Sequence, residues 1–132
     1  MIKNKAFTYY STQWNAETVL FVGDYKNMLE YLRKKFNYGG NDTENKNFAG
    51  ESFTIVNNDN VKVAYVIWMP EFSFTTNEYV TLAHEVLHMT THILDDRNVY
   101  YQDSSKEVLN YSFDDFYGQY LKKLHKEYKK DG

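Results

Sequence analysis

TLAHEVLHMTTHIL, running from Thr81 to Leu94, carries three of the four histidines of the chain and contains the pattern HExxH at His84–His88. On a helix, residues four apart project about 40° from each other, so His84 and His88 stand one above the other on one face. Their ring nitrogens can then bind a single zinc ion at about 2.0–2.1 Å. Glu85 lies about 100° further round, where its carboxylate can reach a water beside the metal and accept its proton. The pentapeptide alone also fits a plain helix whose histidines are surface residues or satisfied core residues, so its surroundings decide the reading.

Working outward, Leu82, Val86, Met89 and Ile93 form an apolar stripe at helical spacing, with Ala83, Leu87 and Leu94 beside it. The histidines are therefore expected to border the buried face, partly shielded from water. Thr75 or Thr76 is placed to cap the helix, and Glu78 is placed for a capping box with Thr75. A catalytic zinc usually takes three protein ligands and leaves one position open. The chain has no cysteine, so the third ligand must be His, Asp or Glu. Glu107 is the best candidate, because it opens the next helical segment, nineteen positions after His88 (107 − 88), on an element expected to fold back on the first. His92 continues the stack, but i to i+8 spans about 12 Å of helix, too far for one ion to take all three rings. It is expected at the rim, with Asp95 and Asp96 as loop residues or supporting partners.

The remaining sequence reads as one domain over residues 1–132, in the order β–α–β–β–α–α. Val19–Val22 is a strand ending at Gly23, and Ala6–Tyr10 is a weaker strand candidate. Asp24–Phe36 is an amphipathic helix with Tyr25, Met28, Leu29, Leu32 and Phe36 inward, Asp24 as its cap, and Gly39-Gly40 beyond its end. Residues Asn41–Gly50 form a polar loop. Ser52–Val56 and Val61–Met69 make a hairpin about Asn57–Asn60, and Pro70 ends its second strand. Arg97–Asp103 connects to a long helix capped by Ser104 or Ser105 and running to about Tyr128, with Leu109, Phe113, Phe116, Tyr120 and Leu124 as its core stripe. The class is α+β: a small antiparallel or mixed sheet packed against the HExxH helix and a long C-terminal helix.

Composition supplies the exclusions. Hydrophobic residues make up 42% of the 132 positions, enough for a packed core, and aromatic residues make up 18%, mostly tyrosine. A net charge of −3 gives no global case for nucleic acid, and the lysines between Lys122 and Lys130 read as a solvated helix end. No stretch approaches the roughly 18 apolar residues of a membrane span, and the N-terminal segment lacks a signal-like apolar run. A soluble, cytoplasmic protein is the expectation.

The segment TLAHEVLHMTTHILDDRNV followed by KEVLNYSFDDF resembles the small zincin-like metallopeptidases of bacteriophages and mobile elements. These place a strand before a helix bearing HExxH, then a short loop, then a helix opening on Glu-x-x-x-Tyr, here Glu107 to Tyr111. The resemblance implies zinc held by His84, His88 and Glu107, with Glu85 as general base and the host cytoplasm as location. It also brings in Tyr111, one turn from Glu107, as an oxyanion donor or as packing. The arrangement is more distantly similar to the ImmA/IrrE-type peptidases, which carry a further His after HExxH. Leu87 stands where those proteins commonly have glycine within the motif, and no DNA-binding or regulatory domain is attached.

Two functions follow. In the first, the protein is a zinc peptidase acting on a peptide or protein substrate, whose backbone pairs with the strand Val61–Met69 if that strand has a free edge. In the second, it is a zincin-fold binding module with a structural zinc, contacting a host or phage protein. A base beside the ligands has no use in a purely structural site, which favours the enzyme.

Overall fold

The structure is a computed structural model that describes residues 1–39, 49–57, 61–99 and 106–131, the last without its side chain. Within them lie β1 (Lys5–Ser11), β2 (Ala16–Val22), α1 (Tyr25–Phe36), β3 (Glu51–Val56), β4 (Lys62–Met69), α2 (Thr76–Asp96) and α3 (Lys106–Asp131). The strands form one mixed sheet in the order β1-β2-β4-β3. β2 and β4 run parallel at its centre, and β1 and β3 pair antiparallel on the outside. The expected α+β class with a mixed sheet is observed, but the element order is β–β–α–β–β–α–α. The weak candidate Ala6–Tyr10 belongs to a full strand paired with β2 from Lys5↔Val22 to Ser11↔Ala16. Asn15, in the left-handed region at φ 51°, closes this hairpin, since asparagine tolerates that conformation.

Side chains alternate across a strand, so a central strand covered on both faces must be apolar throughout. Val19, Phe21, Ala64, Val66 and Trp68 point to one face and meet Met28, Leu29 and Leu32 of α1. Leu20, Val22, Tyr65, Ile67 and Met69 point to the other and meet Leu82, Val86, Met89 and Ile93 of α2 with Phe116, Tyr120 and Leu124 of α3. Both predicted stripes thus enter the core, although Leu109 and Phe113 are only half-buried. Gly23 joins the layers at φ 152°, donating its N–H to the Met69 carbonyl and accepting from Trp68 Nε1, both at 2.8 Å. A Cβ there would stand 2.3 Å from Asn4 Oδ1, so only glycine fits.

Helix ends show which local signals hold. Thr75 and Glu78 form the expected capping box, and the Glu78 carboxylate also accepts from the Ser73 N–H at 2.6 Å. Asp24 does stand at the cap of α1, but its carboxylate makes no capping bond and lies 3.5 Å from Lys3 Nζ. α1 ends at Phe36 as expected, and Asn37, at φ 55°, takes the left-handed position after it; Gly40 lies outside the described residues. Asp95 and Asp96 fall in the last turn of α2 instead of a loop, and α3 runs past Tyr128 to Asp131. The expected caps Ser104 and Ser105, and residues 58–60 of the second hairpin, lie outside the described residues.

α3 packs antiparallel to α2. Tyr117 and His125 both reach Tyr79 near the start of α2, while Ser112 and Arg97 both reach Trp14 near its end. Arg97 fixes that end by donating from Nε to the Trp14 carbonyl at 2.8 Å and from a terminal nitrogen to the Asn15 carbonyl at 2.9 Å. α2 lies over β4 and β3, and α3 lies over β1.

One expectation about function is corrected by the topology. Val61–Met69 has no free edge, because β4 pairs with β2 on one side and β3 on the other. Among the described residues the edge strand near α2 is β3.

Candidate metal and peptide site

α2 turns its faces in a way that follows from its stripe. At about 100° per residue, Glu85 lies roughly 70° from the centre of the Leu82–Val86–Met89–Ile93 stripe, while His84 lies almost opposite it. Glu85 is accordingly buried at 8% exposure, whereas His84, His88 and His92 are exposed. The histidines therefore do not border the core as expected; only the acid between them does. Leu87, expected beside the core, is 44% exposed for the same reason.

His84 and His88 are brought together. Their Nε2 atoms are 3.0 Å apart and the rings meet edge to face with centroids 4.5 Å apart. Two zinc–nitrogen bonds of about 2.0–2.1 Å can bridge such a separation. The two ring nitrogens are also within hydrogen-bond distance of each other. The pair thus has both the spacing and the donor chemistry of a shared metal site.

Beside it, on the β3 flank of α2, opens a cleft of about 360 Å³ lined by Gly50, Glu51, Ser52, Glu85, His88 and His92. Burial pushes the Glu85 carboxyl up, the charges of His84 and His88 pull it down, and the Glu51 carboxylate adds to the rise. The net shift is upward from the ordinary carboxylate value. Gly50 supplies the close approach: a Cβ there would stand 3.3 Å from Glu85 Cγ and 2.9 Å from Thr81 Cγ2.

His92 sits on the rim of the cleft, in keeping with its sequence reading. Glu107 is in the first turn of α3 and exposed, and Tyr111, one turn on, is 67% exposed. Both come from the helix on the β1 side of α2, whereas the cleft opens on the β3 side. Among the described residues no three His, Asp or Glu side chains converge on one point, so the geometry joins His84 to His88 without Glu107. Asp96 is engaged elsewhere, accepting from Lys62 and, at 2.6 Å, from the Tyr65 hydroxyl.

Glu51 is the site residue that sequence reasoning missed. One of its carboxylate oxygens is buried without a hydrogen-bond partner among the described residues, beside a second carboxylate. Strand pairing alone brings it there, and a glutamate at the start of a strand gives no periodic signal.

Comparison with family models, with curated proteins and with solved structures gave no match. Among the described residues no helix is long and apolar enough to cross a membrane.

Proposed function

We propose that this chain is a zincin-like zinc metallopeptidase whose site is built on α2 and the edge strand β3. The observation that carries the reading is the His84–His88 pair, two ring nitrogens 3.0 Å apart with the buried Glu85 carboxylate between them in sequence. His84 and His88 would hold the metal; Glu107, the third ligand that the resemblance implies, does not converge with them and would have to be brought in from the start of α3. When bound, zinc supplies a Lewis acid that polarises water and a peptide carbonyl.

The chain's own groups supply the rest. Glu85, with its carboxyl raised by burial, accepts the proton of the attacking water and returns it to the leaving amine. β3 offers a backbone edge to an extended substrate, which would lie along the cleft floor at Gly50–Ser52 and pass over Glu85. His92, at the rim, is free to orient substrate rather than bind metal. Tyr111 is assigned to the oxyanion side, on the flank opposite β3. The cytoplasm of a bacterial host, or of the host of a phage, is the proposed location.

The test is cleavage. Parent protein and Glu85→Gln, each loaded with zinc, are incubated with a soluble proteome and new termini are read by mass spectrometry. Termini made by the parent and absent with Glu85→Gln support a peptidase. Equal termini from both would mean a contaminating protease, and none from either would refute the activity.

A further inference from the structure

The other edge of the sheet has a different chemistry. Among the described residues β1 pairs with one strand, β2, so one row of its backbone N–H and C=O groups faces outward. Beside that edge runs a groove of about 270 Å³ between Lys5–Thr8 and the last turns of α3, where Lys123, Lys126 and Lys130 stand. Their spacing of three and seven places them on one helix face, and Lys5 of β1 approaches the same groove. Among the described residues Glu127 is the one acid lining it, and it is engaged with Lys5 at 3.7 Å. Among the described residues no carboxylate lies in ion-pair range of Lys123, Lys126 or Lys130. Four lysines against one glutamate make this groove strongly positive in a chain whose net charge is −3.

We propose that the β1 edge and the α3 lysines form a docking site for an acidic polypeptide segment in extended conformation, added to the sheet as a strand beyond β1. An extended backbone satisfies the outward row of β1, and acidic side chains at alternate positions fall on the α3 side against the lysines. The intervening side chains fall on the opposite face, beside Ala6 and Thr8. A second copy pairing β1 to β1 would bring lysine against lysine, which opposes that occupant. Nucleic acid would satisfy the charge but not the backbone row, and the one aromatic ring in the groove, Phe7, is buried and cannot stack on a base. The site lies at the far edge of the sheet from the His84–His88 cleft, so it stands or falls independently of the peptidase reading.

The experiment uses the full chain labelled with ¹⁵N and a short capped peptide alternating glutamate and valine. The expected result is saturable binding, with amide shifts and slowed hydrogen exchange confined to Lys5–Ser11 and to α3 beyond Leu121. The same peptide with glutamine in place of glutamate should bind at least about tenfold more weakly. K123E/K126E, verified as folded by unchanged amide spectra elsewhere, should lose about tenfold in affinity for the acidic peptide. Three outcomes overturn the proposal: no saturable binding, equal binding of the glutamine peptide, or shifts at the lysines without protection of β1 amides. An oligothymidylate that binds more tightly than the peptide would replace it with a nucleic-acid surface.

Discussion

Gly50 lies so close to Thr81 that a Cβ on it would stand 2.9 Å from the Thr81 methyl, with the Trp68 carbonyl and Glu85 Cγ each at 3.3 Å. The strand edge and the acid of the HExxH helix are therefore held at a separation that a larger residue would crowd. Gly50→Ala must turn the Thr81 methyl aside and shift Glu85 or β3 by a few tenths of an ångström, because the Trp68 carbonyl is backbone within the sheet. We expect stability to fall by about 1–3 kcal/mol and turnover to fall by about tenfold or more, since small displacements of a catalytic group are costly. Zinc content should stay at the parent value. Parallel melting, metal analysis and cleavage assays check this, and wild-type turnover would show that Gly50 does not set the position of Glu85.

Glu85→Gln should separate stability from catalysis. Burial raises the folded-state pKa of Glu85 above its ordinary value of 4.5, so ionisation costs the fold. That group favours folding less as pH rises through its folded pKa, and the full penalty is present above it. In chelator, Glu85→Gln should therefore gain on the parent as pH increases from about 4 to about 8. Denaturation curves across that range give the comparison, and a variant that loses ground with rising pH would contradict it. With zinc present, hydrolysis should drop by roughly 10²–10⁴-fold while the metal remains.

The end of α2 makes the opposite prediction. Burial disfavours the charged form of Asp96, but hydrogen bonds from Lys62 and Tyr65 and the charges of Lys62 and Arg97 outweigh it and hold the carboxyl below its usual range. Burial and the same hydrogen bond push Tyr65 up to about 12. Stability from Asp96 is thus present above the ordinary aspartate pKa and is lost as pH falls through the folded value. Asp96→Asn should cost about 1–3 kcal/mol at neutral pH, and the difference should vanish in acid. A gap between the two denaturation curves that persists in strong acid would mean the charge is not what matters.

Glu107→Ala should weaken zinc binding more than His92→Ala. Glu107 stands at the start of a second helix, from which it could complete the site, whereas His92 lies one turn beyond His88 on the same helix and lines the cleft. Zinc titrations with a competing chelator decide the order, and a larger loss with His92→Ala would reassign the third ligand.

What could be read in the chain beforehand was local. The Thr75–Glu78 box, the α2 stripe and the apolar runs of β2 and β4 are fixed by neighbours within a few residues, so periodicity exposes them. β1 was harder, because KAFTYYS sets a half-buried Tyr9 beside an exposed Tyr10 and depends on pairing with β2 for its existence. The end of α1 at Phe36 was legible, but the left-handed position after it falls to Asn37, which the two glycines further on obscured. The free edge is a property of strand order, which placed β4 in the middle and β3 outside. Glu51 and Gly50 enter the site through that order alone. His84 and His88 were legible as a pair, but their exposure required locating the centre of the stripe.

The central claim is a metal held by His84 and His88, and zinc stoichiometry tests it most directly. Protein purified without chelator and dialysed against zinc is analysed for bound metal beside His84→Ala and His88→Ala. The account predicts about one zinc per chain in the parent and loss of tight binding in each variant, with a melting temperature that chelator lowers only in the parent. Substoichiometric zinc in the parent, or equal zinc in parent and variants, would contradict it.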